Sequence, residues 1–107
     1  MHNSDLYKVE FYVPSSHLEA VKSAMFDAGA GRVGNYDGCS WQTSGEGQYR
    51  PLEGSQPFFG EQNRVECVAE YKVEMVCSGE FVKAVIGAMK ATHPYEEIAY
   101  CVIRTVE

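Results

Sequence analysis

The residues best suited to chemistry lie together near the C-terminal end, in the run His93, Pro94, Tyr95, Glu96, Glu97. Imidazole and carboxylate are ligands that zinc, copper or manganese accepts. They are also an acid–base pair. A tight turn would bring His93 together with a carboxylate three or four residues on. His93 and Glu97 are thus the candidate ligands for a divalent metal ion. His93 with Glu96 or Glu97 is the candidate acid–base pair of a small enzyme. The structural alternative sets His93 at a helix C-terminus, where the dipole favours its cation. Glu96 and Glu97 are then solvated or paired with Arg32, Arg50 or Arg64. His17 falls in a first helical turn and His2 near the terminus, so neither strengthens a metal site. No Ser-His-Asp or Cys-His pairing follows from spacing, and no catalytic residue is assigned.

A second group lies in the middle of the chain. Residues 29–60 hold eight of the ten glycines and two of the four prolines. So long a connection inside a compact domain is usually functional. Tyr36, Trp41, Tyr49, Phe58 and Phe59 are interleaved there with Asp37, Gln42, Arg50 and Gln56. Flexible backbone carrying aromatics and a few polar groups suits a ligand pocket. It suits a satellite core or a subunit contact slightly better. Gly29 to Gly34 fits G-x-G-x-x-G but follows a predicted helix and opens none, so it is no dinucleotide site.

The four cysteines, Cys39, Cys67, Cys77 and Cys101, contain no C-x-x-C pair, which argues against a structural zinc site. Cys67, Cys77 and Cys101 fall in alternating apolar stretches and are expected as buried small side chains in a reducing cytosol. Cys39, beside Trp41 in the Gly-rich segment, is expected to be partly exposed.

The elements that must position these groups are written twice. YKVEFYVPSSHLEAVKSAM at residues 7–25 and YKVEMVCSGEFVKAVIGAM at 71–89 share eight identities in nineteen positions at a constant offset of 64. Tyr7, Val9, Phe11 and Val13 alternate with Lys8, Glu10 and Tyr12, the pattern of a half-buried strand. Tyr71, Val73, Met75 and Cys77 alternate in the same way. Each strand leads into a helix. Ser16 and Glu19 have capping-box spacing. Leu18, Val21, Met25 and Ala28 recur at helical spacing, and Gly29 is a suitable terminator. In the second unit Ser78 is the expected cap. Phe81, Val82, Val85, Ile86 and Met89 form the stripe, and His93-Pro94 ends it. Ile98 to Val106 alternates as a last strand.

Two such units predict an α+β, ferredoxin-like βαββαβ sandwich spanning residues 1–107. Its antiparallel sheet carries both helices on one face, with a long Gly-rich β2–β3 region. The other face is left open, with Tyr12, Val68, Val76 and Val102 on or near it. Arg64 to Cys77 has no Gly or Pro and would reach about 46 Å if fully extended. Such a strand should bend, bulge or pair with another chain. A homo-oligomer is expected.

At 107 residues, 45% apolar and 22% charged, the chain has the composition of one globular domain. The formal net charge of -6 argues against nucleic acid and anionic membrane surfaces as partners. No apolar run approaches the roughly 20 residues of a membrane span. Met1 to Asp5 has no basic patch leading into an apolar stretch, so a cytoplasmic protein without a secretory leader is expected.

The segment GNYDGCSWQTSGEGQYRPLEGSQPFFG, followed by YKVEMVC and HPYEEIAY, closely resembles the YqfO-type insert domain of the NGG-one-interacting-factor-like proteins. The likeness runs from about Lys8 to Arg104. It implies a PII/CutA-type ferredoxin-like domain, here as a stand-alone chain, and a trimer such as CutA-like relatives form. Full-length members of that family carry a two-metal site in the halves flanking this insert. Those halves lie outside this sequence, so the resemblance does not bring hydrolase-like or cyclohydrolase-like activity with it. Tyr36, Asp37, Gly38, Cys39, Trp41, Gly45, Gly47, Arg50, Pro51, Gly54 and the turn from His93 to Glu97 match its motif, without an established chemical role. The resulting expectation is a non-enzymatic, oligomeric module that binds a small ligand or metal ion. Its candidate ligand-binding residues are Tyr36, Asp37, Cys39, Trp41, Arg50, His93, Glu96 and Glu97. A plain assembly module ranks second, and a small enzyme third.

Overall fold

Leu6–Pro14 forms the first strand, β1, and its burial alternates as its sequence does. Tyr7, Val9, Phe11 and Val13 are buried, while Tyr12 on the opposite side is exposed. A 3-10 turn at Ser15–His17 leads into helix α1, Leu18–Asp27. Strands β2, Trp41–Tyr49, and β3, Glu66–Ser78, follow. Helix α2 spans Gly79–Thr92 and strand β4 Tyr100–Arg104. A computed structural model describes residues 2–106; Met1, where the leader reading begins, and Glu107 lie outside the described residues.

The four strands form one antiparallel sheet in the order β2-β3-β1-β4. This is the expected ferredoxin-like arrangement. The repeat also sets its symmetry. Glu10 and Glu74, equivalent at offset 64, pair directly across β1 and β3. Tyr7 pairs with Cys77, and Val13 with Tyr71, as a twofold axis through the glutamate pair requires. Val9, Phe11, Val13 and Val73 from the sheet meet Val21, Met25, Val82, Val85 and Met89 from the helices in one core. Fully burying each such side chain contributes about 1.5–3 kcal/mol. No helix among the described residues is long and apolar enough to cross a membrane.

Several local expectations are corrected. The middle of the chain is not irregular throughout, because β2 lies inside it and pairs with β3 along its whole length. Its glycines and mostly exposed residues give no alternating signal; pairing with the long β3 makes the strand. Ser16 does not cap α1: the cap position is His17, and Ser16 Oγ bonds His17 Nδ1 instead. Ser78 does stand at the α2 cap position, without a side-chain bond. Val102 pairs with buried Val9 and packs on the helix side, so Ile103 occupies the open face in its place. Cys77 is buried, but Cys67 and Cys101 are exposed. Cys101 lies opposite Glu10 on the open face. Cys67 lies in residues 66–69 of β3, which run past the end of β1 and pair with β2.

Candidate functional site

A cavity of about 410 Å³ opens where β1, the middle of β3 and the end of β2 meet two connections. The residue 50–65 connection supplies Pro51, Ser55, Pro57 and Phe58, and the α2–β4 turn supplies Tyr95, Glu96, Glu97 and Ala99. The sheet contributes Tyr12, Gly47, Gln48, Tyr49 and Glu70. The two segments nominated separately by sequence therefore meet across one space.

Each wall is held by specific bonds. Glu70 Oε2 accepts the Tyr95 hydroxyl at 2.8 Å. The Glu70 carboxylate lies where a side chain on Gly47 would overlap it, so glycine there leaves it room. Burial, followed by the bond to Glu70, raises the Tyr95 phenol well above its usual range and keeps it protonated. Tyr49 donates to the Phe59 carbonyl at 2.7 Å, and burial raises its phenol too. The Gln56 backbone N–H donates to Glu96 Oε1 at 2.8 Å, tying the long connection to the turn. Phe58 and Phe59 meet edge to face at 4.5 Å, with Tyr49 and Tyr95 alongside.

His93 stands behind this wall. It is 7% exposed, and its ring lies 4.9 Å from that of Tyr95. Nε2 is 2.7 Å from the Tyr12 carbonyl, and the Tyr95 amide donates to Nδ1 at 3.1 Å. Both ring nitrogens are thus engaged by backbone. Burial lowers the pKa of the imidazole, so the ring is neutral and not the helix-end cation of the structural alternative. Among the described residues no three His, Cys, Asp or Glu side chains converge closely enough to hold a metal ion.

The remaining nominated residues are not gathered here. Tyr36 is 75% exposed in the α1–β2 connection, bridged to Val33. Cys39 donates its thiol to the Asp37 carbonyl and its amide to the Gly31 carbonyl. Trp41 opens β2 on the outer face, its indole on Thr43 Oγ1 at 3.0 Å. Eight residue steps along β2, about 26 Å, separate Trp41 from Tyr49 at the cavity. Arg50 is exposed between two lining residues without lining the cavity itself. Sequence reasoning missed Tyr12 and Glu70, and held Tyr95 only as part of the turn's motif, without a role. The repeat held one clue to Glu70, since the equivalent position in the first unit is the apolar Leu6.

No protein-family model matches the chain. It is 44% identical over 103 residues to the GTP cyclohydrolase 1 type 2 homolog of Mycobacterium leprae, covering 96% of this chain and 27% of that protein. A Bacillus cereus protein related to NIF3 superposes with a TM-score of 0.84 at 36% identity, covering 100% of this chain and 27% of that one. This chain is a relative of one segment of the NIF3-type proteins. This chain spans about a quarter of the length of the curated relatives it matches. CutA from Xylella fastidiosa superposes with a TM-score of 0.70 at 19% identity, covering 97% of this chain and 86% of that one. That likeness is one of fold.

Proposed function

We propose that the chain is a non-enzymatic, small-ligand-binding module that works as a homo-oligomer and takes its ligand in the cavity between the long connection and the α2–β4 turn. One observation carries this reading: two segments more than 30 residues apart wall a single cavity of about 410 Å³, within the range of small-molecule sites. Binding is favoured over acid–base catalysis because His93 is committed on both nitrogens to backbone partners. A nucleoside triphosphate is a poor fit, since Glu70, Glu96 and Glu97 line the space and no Lys or Arg does. A trimer is the assembly we favour. Residues 66–69 of β3 extend past β1, and Trp41, Val76 and Ile103 lie on the open face.

Thermal melting against a panel of metabolites and divalent metal ions, followed by calorimetry of the hits, tests the reading. The expected result is a raised melting temperature with a small organic ligand, lost when Phe58→Ala opens the aromatic wall. A full panel without a single organic ligand would defeat it.

A further inference from the structure

We propose that this cavity takes an organic cation, an ammonium or guanidinium group carried on an apolar body. The inference rests on the small-ligand reading and adds the charge of the ligand. Three features of the lining lead to it. Tyr12, Tyr49, Phe58 and Tyr95 supply ring surface on several sides. Aromatic faces attract cations and pack against apolar bodies. Glu70, Glu96 and Glu97 supply carboxylates, and no Lys, Arg or His lines the space. Lys72, two residues along β3 from Glu70 and on the same face, lies 3.7 Å from Glu10 and is not a lining residue.

The carboxylates are not all consumed by the fold. Glu70 uses one oxygen for Tyr95, and Glu96 uses one for the Gln56 amide. Glu97 is exposed and makes no protein hydrogen bond or ion pair among the described residues. Each can still accept a charge-assisted bond from a ligand N–H, which is roughly twice as strong as a neutral one. A bare metal ion suits the arrangement less well, because the acidic side chains do not converge as a ligand set. They are spread around a volume suited to a molecule of drug-fragment size. An anion would meet three carboxylates with no cationic side chain in the lining.

Calorimetry on the full chain at pH 7.5 and low salt, with matched probes, tests the proposal. Phenethylamine and benzylguanidine carry a cation, 2-phenylethanol is neutral, and 3-phenylpropionate is anionic. The cations are expected to bind about tenfold more tightly than the alcohol, with the anion weakest. Glu97→Gln should weaken the cations about fivefold and leave the alcohol unchanged; melting of the variant confirms that it is folded. Equal binding of amine and alcohol, or preference for the anion, overturns the proposal and leaves the small-ligand reading standing. So does a panel that yields neutral or anionic ligands while no cation binds. If neither the probes nor the wider panel yields an organic ligand, both readings fail.

Discussion

Because the Tyr12 carbonyl can only accept and the Tyr95 amide can only donate, His93 is held as the neutral tautomer with its proton on Nε2. The ring braces the end of α2 against β1 and orients the turn that carries Glu96 and Glu97. Its chemistry was legible in the sequence as a residue type, but its role was not, since the partner carbonyl lies 81 positions away. The sign of the pH effect follows from burial. The folded pKa lies below the ordinary 6.5, so between the two values the unfolded chain binds more protons. The stabilisation is therefore present above pH 6.5 and is lost as pH falls through the folded value. Chemical unfolding of the wild type is expected to show constant stability between about pH 7 and 8 and a decline below about 6.5. His93→Gln should remove the part of that decline due to His93 and cost about 1–2 kcal/mol at pH 7.5. An unchanged pH profile in the variant would show that His93 does not carry the effect.

Helix ends were partly written in the chain. Gly29 terminates α1 as its residue type suggested: its amide bonds the Phe26 carbonyl, and the Ala30 amide bonds the Met25 carbonyl. This is the double bond of a Schellman ending. Its φ of +120° disfavours any side chain, and an added Cβ would stand 2.8 Å from Phe81 Cγ. Gly29→Ala is expected to cost about 1–3 kcal/mol by denaturant midpoint. Gly87 offers the opposite case. It lies exposed within α2 with nothing in the way of a Cβ. Gly87→Ala should stabilise by about 0.5–1 kcal/mol in the same assay. Strand β2 was not legible. Gly45 and Gly47 and a mostly exposed surface leave no period-two signal, and only β3 beside it supplies the hydrogen bonds that make it a strand.

The twofold of the repeat places like charges face to face in the middle of the open sheet surface. Glu10 and Glu74 oppose one another there, and Lys8 and Lys72 surround them. Lys8 beside Glu74 holds that carboxyl below its usual range. The centre of this face is therefore charged. Of its apolar groups, the 68% exposed Trp41 and the 45% exposed Ile103 lie on the outer strands, and Tyr12 and Val76 on the inner ones. Light scattering after size exclusion is expected to give the mass of a trimer. Trp41→Glu sets a carboxylate opposite Glu74 and removes the indole, and should shift the population toward monomer. A monomeric wild type at tens of micromolar would exclude the assembly.

By itself the sequence determined the duplicated strand–helix unit, the core stripe of each helix and the stop at His93-Pro94. These are local, because periodicity of 2 or 3.6 and backbone constraints act within a few residues. From two such units the strand order follows by short-range handedness and symmetry. Tertiary structure decided which nominated residues share a site. It parted Tyr36, Asp37, Cys39 and Trp41 from Glu96 and Glu97, set Glu70 against Tyr95, and turned His93 inward to Tyr12. Those pairings depend on strand register and on where two long connections close. Register is fixed by backbone hydrogen bonds between strands, and the closure by bonds such as Gln56 N–H to Glu96 and Tyr49 to the Phe59 carbonyl, which leave no spacing in the chain to read.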